Sequence, residues 1–235
     1  MSEASGGFNS PTHPATEGLI RSAGLTPSVA ESFSELLRPI ERYPAAAVIS
    51  SIAPTPRLKW ILKGWVCEMR VLPDGRRQIF SFGLPGDPVL LHPAALAKLR
   101  CVVALTSVEC IDVARTLTRA RDADRAQIAK AMDNAADLAR ERRYADLVRL
   151  GRRSALQRLA DLLLELHDRL DQIGMVDERG FHLPLTQEHL ADALGLSTVH
   201  VNRSLKTLRL EGGATFRFNR VIQVDRARLA ELAQA

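Results

Sequence analysis

TQEHLADALGLSTVHVNRSLKTLR, residues 186–209, decides how this chain is read. Gly195 divides it into two short helices, because only glycine takes a positive φ at such a turn without steric cost. Thr186 and Ser197 stand where N-caps belong, and Glu188 suits the positive end of the first helix. His189 occupies the place where Glu or Gln closes a capping box, so the box is expected to stay incomplete. At about 100° per residue, Val201, Leu205 and Leu208 share one face of the second helix, and Leu190 and Leu194 share one face of the first. These residues would hold the two helices together.

The opposite face of the second helix is centred on Val199, Arg203 and Lys206, with Thr198, Asn202 and Arg209 on one flank and His200 on the other. A helix lying in the major groove of DNA needs such a face. An arginine fork matches guanine O6 and N7, and a small apolar side chain meets a thymine methyl. Hydroxyls and lysine hold phosphates and set the register. The candidate DNA-binding set is Thr186, Gln187, Ser197, Thr198, Val199, His200, Asn202, Arg203 and Lys206. The plainer alternative is a solvated helix face that happens to be basic.

Charge distribution speaks against that alternative. Between residues 197 and 228 stand Arg203, Lys206, Arg209, Arg217, Arg220, Arg226 and Arg228, against only Glu211 and Asp225. The surplus equals the net +5 of the whole chain, so the other residues balance to zero. A basic excess confined to one segment is a footprint for a polyanion.

With 235 residues, the chain has room for two modest domains. No apolar run approaches the roughly 18 residues of a membrane span, and the N-terminus lacks the order of a signal peptide. A cytoplasmic protein without membrane association is expected. Cys67, Cys101 and Cys110 are odd in number and far apart, which fits reduced, mostly buried thiols. No CxxC or CxxH pairing exists, so neither a metal nor a cofactor is expected.

Residues 1–18 are rich in Ser, Gly, Pro and Thr and read as a disordered arm. Residues 26–43 read as a helix carrying Val29, Phe33, Leu36 and Leu37. Strands are expected at Val48–Ile52, Leu58–Leu62, Trp65–Leu72, Gln78–Phe82 and Val102–Val113, with a hairpin turn at Asp74-Gly75. Over residues 119–150, Ile128, Met132, Ala135 and Ala139 form a narrow seam on a charged helix, the pattern expected of pairing with a twin helix. Residues 154–172 form an amphipathic helix with Leu156, Leu159, Leu163 and Leu166 inward, and Gly174 and Gly180 bracket the turn that follows. Residues 214–224 alternate as a two-stranded wing turning near Asn219, and a short helix begins at Arg226. The fold class is therefore α+β. It comprises an antiparallel β-barrel over residues 19–118, a dimerisation helix over 119–150, and a winged helix-turn-helix over 151–235.

That order resembles the Crp/Fnr family of bacterial transcription regulators. The resemblance is carried by LGRRSALQRLADLLLELHDRL (150–170) and LPLTQEHLADALGLSTVHVNRSLKTLR (183–209), and less specifically by GWVCEMRVLPDGRRQIFSFGLPGD (64–87) and VVALTSVEC (102–110). It implies a cyclic-nucleotide-binding-like barrel. It also implies a homodimer reading a near-palindromic site on double-stranded DNA, with half-site centres about 10 bp apart. RNA polymerase would be a further partner of an activator. Carried over by position, base contacts fall on Thr198, Val199 and Arg203, and phosphate contacts on Thr186, Ser197, His200 and Lys206. Thr198 and Val199 stand where the family often has Arg and Glu, so a different half-site is expected, with one guanine kept by Arg203.

The sensory half departs further from the family pattern. Lys98 and Leu99 stand where cyclic-AMP binders carry Arg-Ser or Arg-Thr, and PVLLHPAALAKL lacks the other elements of a nucleotide pocket. A cyclic phosphate needs an arginine fork, so cyclic AMP is not the expected effector. No cysteine precedes Cys67, which removes the N-terminal iron–sulfur cluster of oxygen-sensing members. His92 carries no haem motif. No enzyme chemistry is expected, since paired carboxylates, a nucleophile elbow and a phosphate loop are all missing from residues 45–116. The competing function is a non-sequence-specific architectural DNA-binding protein.

Overall fold

A computed structural model describes residues 26–49, 55–93, 100–178, 180–217 and 220–234. The arm expected over residues 1–18 and the Lys98–Leu99 pair lie outside the described residues.

The N-terminal half opens with helix α1 (Pro27–Glu35), followed by strands β1 (Glu41–Tyr43), β2 (Val48–Ile49), β3 (Arg57–Lys63), β4 (Val66–Val71), β5 (Arg77–Gly83), β6 (Pro88–Leu91), β7 (Cys101–Ala104) and β8 (Val108–Asp112). They form two antiparallel four-stranded sheets, ordered β1-β8-β3-β6 and β2-β7-β4-β5. The core between them is built from Ile49, Ile61, Val66, Val89, Leu91, Val102, Ala104 and Val108. Strand β3 is buried on both faces: Ile61 points into this core, while Trp60 and Leu62 pack with α1. The expected β4–β5 hairpin forms, with Gly75 at φ 83° and the Asp74 carboxylate accepting from the Arg76 amide at 3.1 Å.

Two expectations for this half are corrected. The helix over 26–43 ends at Glu35, and Glu41–Tyr43 pairs with β8 instead. The run Val102–Val113 is two strands in different sheets. It breaks at Leu105–Ser107, where the Thr106 hydroxyl accepts from the Trp65 amide at 2.9 Å. Gly64 passes so close to this break that a Cβ there would lie 2.1 Å from the Ser107 carbonyl oxygen.

Helix α2 (Val113–Arg119) is N-capped by Asp112 and leads into the long helix α3 (Asp122–Arg152). The seam expected to pair with a twin helix is used within the chain. Ile128, Met132 and Ala135 are buried with Val29 and Phe33 of α1 and with Trp60, Leu62 and Ile111. The apolar residues that α3 leaves exposed are Leu138, Tyr144, Leu147 and Val148. At about 100° per residue, Tyr144 and Val148 lie on the far side of the helix from the buried seam, and Leu138 and Leu147 lie on its two flanks.

Helix α4 (Ala155–Gln172) follows after only two residues, Arg153 and Ser154. Ser154 and Gln157 close a full capping box at its start. Beyond it come β9 (Phe181–His182), α5 (Gln187–Leu194), α6 (Thr198–Leu210), β10 (Ala214–Arg217), β11 (Arg220–Val224) and α7 (Arg226–Gln234). The wing is three-stranded, because Phe181 and His182 pair with β11. The turn expected near Asn219 lies outside the described residues.

Leu159, Leu163, Leu166 and Leu170 of α4, Phe181, Leu190, Leu194, Val201 and Leu208 form one core, which also takes in Trp65, Cys67, Ile79, Phe82 and Leu84 of the sheets. A leucine buried as completely as Leu163 (0% exposed) contributes about 1.5–3 kcal/mol. The same apolar core thus seats the winged helix on the outer face of β4 and β5.

Candidate nucleic-acid interface

The two helices of the motif start and stop where local chemistry dictates. Thr186 Oγ1 accepts from the His189 amide at 3.1 Å. His189 Nδ1 in turn accepts from the Thr186 amide at 3.2 Å. The capping box expected to be incomplete is therefore closed by an imidazole, whose neutral form offers the acceptor that Glu or Gln normally supplies. Gly195 ends α5 in the left-handed region, φ 61° and ψ 39°. Ser197 caps α6 by accepting from the His200 amide at 3.3 Å, and its hydroxyl lies 3.0 Å from His200 Nδ1.

Burial, reinforced by the Arg77 guanidinium, holds the His189 ring below its ordinary value of 6.5. A depressed histidine stabilises the fold above the ordinary value, and that stabilisation is lost as pH falls through the lower folded value. Lowering the pH from about 7 to about 5 should cost the wild type about 1 kcal/mol of cap stability that His189→Gln retains, since glutamine accepts without titrating. Urea unfolding at the two pH values measures this, and an equal loss in both proteins rules the imidazole cap out.

On the inward face of α6, Val201 and Leu208 are fully buried, Ser204 is buried and Leu205 half-buried. On the outward face, Thr198, Val199, His200, Asn202, Arg203, Lys206 and Arg209 are all exposed. Thr186 and Gln187 are exposed at the start of α5. All nine expected contact residues are thus exposed. Val199 is 66% exposed, so it adds little to folding and is available to an apolar partner.

Electrostatics sharpens this surface. Among the described residues no acidic side chain pairs with Arg203, Lys206 or Arg209, whereas Arg226 pairs with Asp168 at 2.8 Å and Arg228 with Glu211 at 2.6 Å. The basic surplus is not evenly available: the arginines of α7 are paired, Arg226 with α4 and Arg228 with Glu211 and Glu231, whereas Arg203, Lys206 and Arg209 of α6 are not paired with an acid among the described residues. Arg217 and Arg220 are backbone partners in the wing register.

One contributor was hidden from a linear reading. Arg77, at the start of β5, bonds Asp192 of α5 at 2.8 Å and Glu188 at 3.4 Å. The Gln78 amide reaches the Ala193 carbonyl at 3.5 Å. The β4–β5 hairpin thus braces the first helix of the motif, and its tip shares a cleft with Ser197 and Thr198 at the start of α6.

Inside the sheets the lining is mostly apolar, with one polar cluster. Glu68, its side chain 4% exposed, bonds Arg143 of α3 at 2.7 Å. Ser81 donates to Glu68 at 3.3 Å. Arg100 lies 4.0 Å from Glu68 and 2.6 Å from His92 Nε2. Among the described residues Glu68 Oε1 and Arg100 Nε find no hydrogen-bond partner. Burial, then the Arg100 charge, lowers the His92 pKa. Cys67 and Cys110 are buried free thiols, both pushed up to about 12 chiefly by burial. Among the described residues no helix is long and apolar enough to cross a membrane.

Comparison with known proteins agrees with this architecture. Residues 157–232 match the model of the Crp-like helix-turn-helix domain. The transcriptional activatory protein AadR of Rhodopseudomonas palustris is 29% identical over 209 residues, covering 87% of this chain and 85% of AadR. The nitrogen fixation regulation protein FixK of Bradyrhizobium diazoefficiens is 29% identical over 175 residues, covering 74% and 73%. The solved structure of FixK2 from Bradyrhizobium japonicum superposes with a TM-score of 0.67 at 25% identity, covering 84% of this chain and 98% of that one. The chain carries a Crp-like helix-turn-helix domain and is similar over most of its length to regulators of the Crp/Fnr family. The protein is a DNA-binding transcription regulator, and α6 occupies the second-helix position of its helix-turn-helix.

Proposed function

We propose that the protein is a homodimer that binds a near-palindromic duplex site, one α6 per half-site, and regulates transcription without cyclic AMP. Arg203 contacts a guanine edge, and Thr198 and Val199 meet neighbouring bases. Thr186, Ser197, His200 and Lys206 hold phosphates, with Gln187 and Asn202 at the margin. The observation that carries this reading is the pairing, on one exposed helix face, of acid-free Arg203 with the uncovered Val199. A mere polyanion binder needs the charge but not the apolar contact beside it.

A second copy covers the exposed arc Tyr144, Leu147 and Val148 of α3. The name of AadR, a transcriptional activatory protein, supports activation through RNA polymerase contact in the cytoplasm. No catalytic role is assigned to the sheet domain.

Selection from a random duplex pool by the full chain tests this. Two half-sites related by a dyad, with centres about 10 bp apart, should be enriched. Enrichment of no common sequence, with steep salt dependence, would favour the architectural alternative.

A further inference from the structure

The joint between α3 and α4 is two residues long, yet one net-neutral network of buried and half-buried ion pairs crosses it. At its centre is Arg149 of α3, its side chain 5% exposed. Its Nε bonds Asp161 at 2.7 Å and its Nη2 bonds Glu165 at 2.7 Å, both on α4. Its Nη1 bonds Asp146 of its own helix. Arg153 takes the second oxygen of Asp161 at 2.9 Å.

Arg169 takes the second oxygen of Glu165 at 2.9 Å and extends the chain to the sheets. Its other nitrogen bonds Asp87 and the Phe82 carbonyl, the latter at 2.8 Å. Asp87 also receives Arg142 of α3 at 2.8 Å and the Leu84 amide at 2.7 Å. Four guanidiniums and four carboxylates thus tie the sheet domain, α3 and α4 together.

Apolar packing is non-directional and tolerates rotation at such a joint. A planar guanidinium held at three nitrogens does not, because every bond fixes an angle as well as a distance. Buried ion pairs contribute little net stability, but they can select one geometry among several of similar energy. The geometry points to Arg149 and Asp87 as positioning residues that set the angle of the winged helix on α3, and through it the half-site spacing that the dimer accepts. This rests on the dimeric, palindrome-reading function proposed above. One base pair of extra spacing rotates a half-site by about 35° and moves it about 3.4 Å, so spacing is a sensitive gauge of that angle.

The full chain and Arg149→Met should be titrated on duplexes carrying the selected half-sites at spacings changed by one and two base pairs. The wild type should prefer one spacing by about tenfold or more, and Arg149→Met should reduce that preference to about threefold or less. Binding to an isolated half-site should be unchanged within about twofold in both. Arg149→Lys, which keeps the charge but not the fork, should behave like Arg149→Met. If Arg149→Met does not fold by circular dichroism, Asp87→Asn decides by the same reading, because it loosens only the sheet end of the network. An undiminished spacing preference in the folded variants overturns the inference. Failure of the wild type to select paired half-sites at all overturns the underlying function instead.

Discussion

Arg203→Ala is expected to cost about 1–3 kcal/mol on the preferred site, roughly a 5- to 150-fold loss, and to relax selection at one base position per half-site. The loss follows from the position of the side chain. It stands at the centre of the exposed face of α6, and no acid among the described residues competes for it. Its cost of transfer into a groove is therefore not raised by a broken ion pair. Lys206→Ala, one turn on, should weaken all sequences alike and lower the salt slope by about one, as removal of a phosphate contact does. The pair is read by binding titrations on the selected site and on variants at each position. If Arg203→Ala weakens every sequence equally, the residue holds a phosphate and the assignment to guanine fails.

The surface around Arg203 was legible in the sequence because its determinants are local. Thr186, Gly195 and Ser197 each act within about one helical turn, so their spacing alone locates α5 and α6. His189 escaped this reading because an imidazole acceptor is an uncommon substitute for Glu or Gln, although its position in the sequence already marked it. What the sequence could not supply was the partner of each apolar face. The 4-3-4 spacing of Ile128, Met132, Ala135 and Ala139 says that one side of α3 is covered, and nothing in it says by what. The cover turns out to be Val29, Phe33 and Trp60, far away in the chain. Arg77 is the polar equivalent: at the end of a hairpin it reads as solvated, but it meets Asp192 in α5. The break in the run Val102–Val113 was masked by its unbroken β-propensity. Only the approach of Gly64 and the Thr106 hydroxyl bond to Trp65 reveal why the chain leaves one sheet for the other there.

Relocating the apolar seam moves the expected dimer contact and yields the largest predicted effect. Tyr144 and Val148 are 56% and 53% exposed, on the side of α3 opposite the buried seam. At a two-fold interface each residue is met by the same patch of the other copy, so Val148→Glu introduces two like charges into one apolar contact. The dimer should weaken by about 3 kcal/mol or more, which is at least a hundredfold in its dissociation constant. Affinity for the paired site should fall about 100- to 10,000-fold, towards that of a single half-site, because the second contact is no longer made at high effective concentration. Met132→Ala provides the contrast. It opens a cavity against α1 and should cost about 2–5 kcal/mol of folding stability, leaving the association constant of the folded protein in place. Sedimentation equilibrium separates the two variants. If Met132→Ala dissociates the dimer while Val148→Glu does not, the original seam is the interface after all, and the exposed arc serves another partner.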